Sequence, residues 1–380
     1  MISKIQLSKI FLLGSSLFLL SCKENKSTKV QDEPDMPVIA PNYELSQNDN
    51  LAYLGRVLFY DKKLSSDNST SCSSCHHQSK AFADNHKVSV GVLGQLSTRN
   101  SPMVFPKQGK MFWDGRAANL DEMVLMPIMD EKEMNCKDLD QLCAKLSKTS
   151  YYPKLFNKAF HSESVTKDRL KLALKEFVVN CNFSKNKFSS SQMGMSNKLS
   201  TEEEAGKNLF FGKAKCSECH QLAGGNFGNV YYGPKIEAHN IGLDYEYTDK
   251  GCGVTNKNDK DNGKFMMPIL QNIELTSPYM HDGRFATLEE VVEHYDSKVI
   301  LNPNLDWRLK DFSDFKNLSE ARGKLDKNFD GDIDNSEAPN RQAQKLNLSD
   351  KEKSDLVVFL KTLTDKSVLT DSKFGNPFKH

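Results

Sequence analysis

Apolar residues recur at helical spacing in several separate stretches of this chain. In residues 168–179 (DRLKLALKEFVV) and 349–363 (SDKEKSDLVVFLKTL) they return every three or four positions, the stripe of an amphipathic helix. Residues 200–209 (STEEEAGKNL) open with a hydroxyl cap and glutamates in the first turn, a helix start. Leu288, Val291, Val292 and Tyr295 fall at i, i+3, i+4 and i+7. They predict a helix with Tyr295 turned inward and His294 on the polar side with Glu290 and Glu293. Period-two alternation is rare and short, so the pattern predicts a mainly α fold with few short strands. The polar run 184–196 (SKNKFSSSQMGMS) reads as a linker between two halves.

The N-terminus carries a different pattern. Residues 10–20 are an apolar run behind Lys4 and Lys9, too short to span a bilayer as a permanent helix. That is the layout of an export signal, covering residues 1–21. It ends in Leu-Leu-Ser-Cys, similar to a bacterial lipobox, which makes Cys22 the expected lipidated residue. Residues 22–44 are polar, charged and Pro-containing, as a flexible tether is. The expected location is the periplasm or cell envelope, with the membrane reached only through the lipid.

Composition narrows the choice less. The chain has 380 residues, enough for two ordinary domains or one large one, and 51 basic against 50 acidic side chains. A net charge near +1 gives no footprint for nucleic acid. The cysteines say more. Cys72, Cys75, His76 and again Cys216, Cys219, His220 spell CxxCH, the attachment signature of c-type haem. The two thiols bond the haem vinyl groups and the adjacent His ligates the iron. A zinc site would need further close Cys or His ligands, and a redox dithiol would not need the His. Two covalent haems are therefore expected. Each CxxCH is followed by a Pro-led segment and an aromatic stretch ending in Asp-Gly-Arg: FWDGRAANLDEM from Phe112 and YMHDGRFATLEEVVEHY from Tyr279. This weak internal repeat divides the chain into related halves, 45–190 and 191–380.

Four cysteines remain besides Cys22: Cys136, Cys143, Cys181 and Cys252. Three pairings are possible, and Cys136–Cys143 is the natural local pair if Cys136 precedes the helix that contains Cys143. Residues 326–337 (DKNFDGDIDNSE) match the EF-hand loop pattern. Asp326, Asn328, Asp330, Asp334 and Glu337 would supply calcium oxygens, Asp332 a backbone carbonyl, and Gly331 the sharp turn, within an insertion around 311–345.

Taken in order, the motifs CSSCHHQSKAFADN, STRNSPMVF, FWDGRAANLDE, the 127–134 segment, YYPKLFNKAF, KCSECH and LTSPYMHDGRFATLEEVVEHY resemble the bacterial diheme cytochrome c peroxidases and their relative MauG. The resemblance implies two packed cytochrome c-like domains. The haem on His76 would be peroxidatic, and the haem on His220 would receive electrons. Trp113 would be the relay between them and Glu133 the distal acid/base. His281 would lie in the cofactor-binding motif, and Asn100, Thr276 and Pro278 would hold a calcium ion between the domains. The implied partners are hydrogen peroxide and a small donor, a cytochrome or a cupredoxin, and a homodimer is expected of some members. Glu133 also suits the chemistry, since splitting a peroxide O–O bond needs a proton moved between its oxygens.

Two positions depart from the peroxidase pattern, and a third departs from MauG. Val92 stands where many peroxidases have a distal His, with His77 and His86 at other positions, so the first haem is expected to be five-coordinate without prior reduction. Tyr295 stands where the peroxidases have a Met ligand, as in MauG. Met123 stands where MauG has a Gln. Peroxidase, MauG-like oxidase of a protein or aromatic substrate, and plain electron carrier are the three readings. Glu133 and an open distal position speak against the carrier.

Overall fold

The computed structural model describes residues 47–378 except 107–108, 184, 193–197, 221, 224–225, 228–237, 328–332, 334–336 and 339. The export signal, Cys22 and the tether lie outside the described residues. No helix among the described residues is long and apolar enough to cross a membrane.

The fold is mainly helical, with two large apolar cores. In the first, the Gln47–Tyr60 helix crosses Lys167–Asn180 at Gly55. A Cβ there would stand 1.9 Å from the Ala173 carbonyl oxygen, so only glycine lets the backbones approach this closely. Leu54, Leu58, Phe82, Phe156 and Phe177 fill the contact. In the second core, Thr201–Phe211 crosses Asp350–Lys361 at Gly206, where a Cβ would lie 2.0 Å from the Asp355 carbonyl oxygen. Phe210 and Phe359 pack there with ring centroids 5.5 Å apart. The repeat seen in the motifs thus extends to the helix crossings.

The periodic stretches form the expected helices. Thr166, Ser200 and Ser349 cap the Lys167–Asn180, Thr201–Phe211 and Asp350–Lys361 helices, the last two with full capping boxes through Glu203 and Glu352. The strands are two-residue pairs: Leu222–Ala223 against Asn226–Phe227, and Ala238–His239 against Phe265–Met266, both antiparallel.

Two expectations need correction. Part of the supposed linker is the helix Lys187–Gln192, whose Phe188 is buried against Phe359 at 5.4 Å. Serine-rich composition hid a single aromatic anchor. The helix after Thr287 ends at Glu293 and widens into a π turn over His294–Lys298. That change of period buries His294, whose Nε2 lies 2.9 Å from the Ile241 carbonyl oxygen, instead of leaving it with Glu290 and Glu293.

The C-terminal tail returns to the first core. Val368 and Phe374 are buried there, Tyr60 Oη donates to the Phe374 carbonyl at 2.8 Å, and Arg56 Nε donates to Gly375 at 2.6 Å. A small separate core joins Trp307, Phe312, Leu318, Ala321, Ile333 and Ala338.

Candidate active site

Both CxxCH motifs fold as one tight turn. Cys72–Ser74 and Cys216–Glu218 are 3-10 helical, and the N–H groups of His76 and His220 return to the carbonyls of Cys72 and Cys216 at 3.0 and 2.9 Å. This brings each His back beside its first Cys. His76 Nδ1 lies 2.8 Å from the Phe82 carbonyl oxygen, which fixes the proton on Nδ1 and leaves Nε2 to ligate. His220 Nδ1 is buried with no hydrogen-bond partner among the described residues. Burial, helped by nearby His239, lowers the His220 pKa to about 4. Burial pushes the Cys72 and Cys216 thiols up to about 12. Neutral, half-buried imidazoles beside half-buried sulfurs fit covalent haem at both turns, with His76 and His220 as the residues that would ligate iron and the haem supplying redox chemistry.

Glu133 lies near the first turn. Glu133 is close enough to Cys72 and Cys75 to act on both electrostatically. Burial and then Asp130 raise its pKa to about 7, against the opposing charge of Arg116. The backbone of Glu133 is pinned: Val92 N–H donates to its carbonyl at 2.9 Å. A Cβ on Gly91 would lie 2.0 Å from the Lys132 carbonyl oxygen. Val92 is buried, and His86 and His77 face Asp84 at 2.9 and 4.0 Å. Met123 is part-buried against the first core.

Trp113 is hydrogen-bonded to two segments far apart in the sequence. Its Nε1–H donates to the Asn100 carbonyl at 2.9 Å, and its own carbonyl accepts from Met266 N–H at 2.7 Å. Asn100 N–H in turn donates to the His281 carbonyl at 2.8 Å. Trp113 and His281 are equivalent in the repeat: each follows a residue with positive φ, Phe112 or Met280, and precedes Asp-Gly-Arg in a hairpin closed by Met111 with Ala117 or Tyr279 with Phe285. Thr276 and Pro278 flank Ser277 just before that second hairpin, with Ser277–Pro278 cis, and His281, whose carbonyl accepts from Asn100 N–H, lies three residues beyond Pro278.

At the second turn, Tyr295 lies within the π turn, near enough to Cys219 and Cys216 to feel their charge, and burial holds its phenol well above the usual range. Such turns concentrate at functional positions. Sequence reasoning missed the neighbouring pair His239 and Asp306, in which Nδ1 lies 2.6 Å from Oδ2 and both side chains are buried. Burial opposes the Asp306 charge, but His239 and Arg308 overcome it and hold the carboxyl below its ordinary range. A lone His 19 residues after the motif carries no spacing signal that would have flagged it.

The other candidates are more scattered. Asp326 ends the Leu318–Leu325 helix, and Glu337 Oε1 accepts from Lys327 N–H at 2.8 Å. Asn328, Asp330, Gly331, Asp332 and Asp334 lie outside the described residues. Cys136 and Cys143 are not joined, contrary to the expected local pair, and Cys181 and Cys252 are buried free thiols. Cys136 Sγ instead faces the Asp138 carbonyl that precedes the Leu139–Leu146 helix.

The chain is similar to known proteins over most of its length. A family model described as di-haem cytochrome c peroxidase matches residues 49–197. Cytochrome c551 peroxidase of Nitrosomonas europaea is 35% identical over 268 residues, 69% of this chain and 76% of that protein. The methylamine utilization protein MauG of Methylophilus methylotrophus is 28% identical over 274 residues, 71% and 79% of the two chains. Among solved structures, a MauG-like protein associated with microbial copper homeostasis superposes with a TM-score of 0.70 at 29% identity, covering 92% of this chain and 97% of that one.

Proposed function

We propose that this chain, which belongs to the di-haem cytochrome c peroxidase family and is therefore an oxidoreductase, reduces hydrogen peroxide to water with electrons from a small periplasmic cytochrome or cupredoxin. What carries the reading is Glu133, whose backbone is tied to Val92 and whose carboxyl, raised to about pKa 7, is near enough to Cys72 and Cys75 to act on both electrostatically. The haem on Cys72, Cys75 and His76 would supply the iron at which the O–O bond breaks. Glu133 takes the proton from the inner peroxide oxygen and returns it to the outer one, so the leaving group departs as water. Two electrons and two further protons complete two waters. Trp113 passes the electrons between the halves. Val92 leaves the first distal position without a protein ligand, so the enzyme works without pre-reduction. The test adds hydrogen peroxide to the diferric holoenzyme with a reduced small cytochrome c, with and without prior one-electron reduction. Fast turnover without pre-reduction is expected. No turnover in either state would overturn the reading.

A MauG-like oxidase is the second reading, and Tyr295 near Cys216 and Cys219 favours it. Haem spectra that respond to peroxide while no cytochrome is oxidised would select it. In either case Tyr295 is proposed as the sixth ligand of the haem on Cys216, Cys219 and His220, with His281 lining the junction. Calcium at Asn100, Thr276 and Pro278, and at residues 326–337, is part of the proposal; calorimetry on calcium-stripped protein, with Asp330→Ala, tests it. Lipid attachment at Cys22 is tested by fatty-acid labelling, which Cys22→Ser should abolish.

A further inference from the structure

We propose that Arg99 is the positioning residue of the Trp113 relay; this rests on reading Trp113 as that relay. Arg99 and Asn100 are consecutive, and so are Trp113 and Asp114. The two pairs face each other. The Asn100 carbonyl accepts the indole N–H at 2.9 Å, and Arg99 Nη1 meets Asp114 Oδ2 at 2.6 Å.

The rest of the guanidinium reaches Asp249 in the other half, with Nε donating to Oδ2 at 2.7 Å and Nη2 to Oδ1 at 2.8 Å. This two-pronged geometry suits arginine and not lysine. Asp249 Oδ1 also accepts Gly251 N–H at 2.9 Å, and Gly251 pairs with Lys264. Two residues on, Met266 N–H holds the Trp113 carbonyl at 2.7 Å. Arg99 therefore closes a ring of contacts through residues 99–100, 113–114, 249–251 and 264–266. Its guanidinium lies 5.7 Å over the Phe265 ring, which stacks on His281 at 3.6 Å. The Arg99 and Asp114 side chains are only 16% and 12% exposed, so salt screens the pair weakly.

The consequence is geometric. The indole gives one electron toward the first haem and receives one from the second, ending unchanged; peroxide is the oxidant and the donor protein the reductant. Such a transfer depends on where the ring stands, and a misplacement of about 1 Å costs on the order of 10²-fold where geometry controls a step. Asn100 and Met266 fix two points of Trp113, and Arg99 fixes the residue that follows it to both halves.

The test uses holoenzyme carrying Arg99→Gln, Arg99→Lys or Trp113→Phe, with the second haem pre-reduced. Stopped-flow absorbance separates the peroxide-dependent reaction of the first haem from the peroxide-independent oxidation of the second. Ultraviolet resonance Raman, assigned with Trp113→Phe, reads the indole hydrogen bond without turnover. For Arg99→Gln the first step should be unchanged, the second about 10- to 100-fold slower, and the indole band shifted toward a weaker hydrogen bond, with Arg99→Lys between. An unchanged second step and band in Arg99→Gln, where Trp113→Phe is slow, would overturn the role of Arg99 alone. An unchanged second step in Trp113→Phe would remove the relay reading and this proposal with it. If Arg99→Gln loses haem, Asp249→Asn is read the same way, and normal kinetics there overturn the proposal.

Discussion

Glu133 is partly shielded from water and stands near Asp130, and both effects favour its protonated form. A general base must be ionised, so the peroxide reaction of the first haem should rise with pH to a plateau above about 7. Glu133→Gln should remove that limb and cost about 10²- to 10⁴-fold in turnover with both haems retained; stopped-flow rates from pH 5 to 9 check it. The same raised pKa bears on stability with a definite sign. The native state binds the extra proton between the unfolded value near 4.5 and the folded value near 7. Stability attributable to this group therefore falls as pH rises through that window and then levels. Glu133→Gln should raise the melting temperature more at pH 8 than at pH 4. Tyr295 gives a third residue-scale expectation. Tyr295→Met should raise the potential of the second haem, because His/Met ligation favours the ferrous state. Spectroelectrochemistry showing no shift would remove Tyr295 from that iron.

Among the helices, the two crossings allow a paired comparison. Gly55→Ala and Gly206→Ala each drive a methyl into a carbonyl of the partner helix. Each should lower unfolding stability by about 1–3 kcal/mol. Gly323→Ala is the control: it lies in the Leu318–Leu325 helix with nothing within 4 Å, and should gain up to about 1 kcal/mol from helix propensity. Denaturant titration measures all three. These crossings also mark what could be read from the chain. The helices were legible because their apolar stripes and caps are local signals, and the CxxCH turns because their spacing is chemically fixed. The π turn was not, since nothing in EEVVEHYDSK announces where a period of 3.6 opens by one residue. The Arg99 clasp and the His239–Asp306 pair join residues 150 and 67 positions apart, and no periodicity reports a contact over that range.

For the whole molecule, the chain's order does not match the order of its cores. Residues after the Asp350–Lys361 helix leave the second core and finish in the first. Gln78 Nε2, two residues past His76, donates to the Val368 and Asp371 carbonyls at 3.0 and 2.8 Å. Phe374 packs on Phe183 and Phe177 with centroids 5.0 and 6.3 Å apart. The tail therefore supports the loop that holds His76 through Phe82, since Phe82 itself stacks on Phe183 at 5.8 Å. Phe374→Ala should cost about 3–5 kcal/mol, as loss of a buried aromatic does. Because the lost contacts belong to the first core, hydrogen exchange should quicken in Gln47–Tyr60 and Lys167–Asn180 before it quickens in Thr201–Phe211. Equal loss of protection in both cores would mean that they unfold as one unit, with the tail stabilising the molecule as a whole and not the first haem's support in particular.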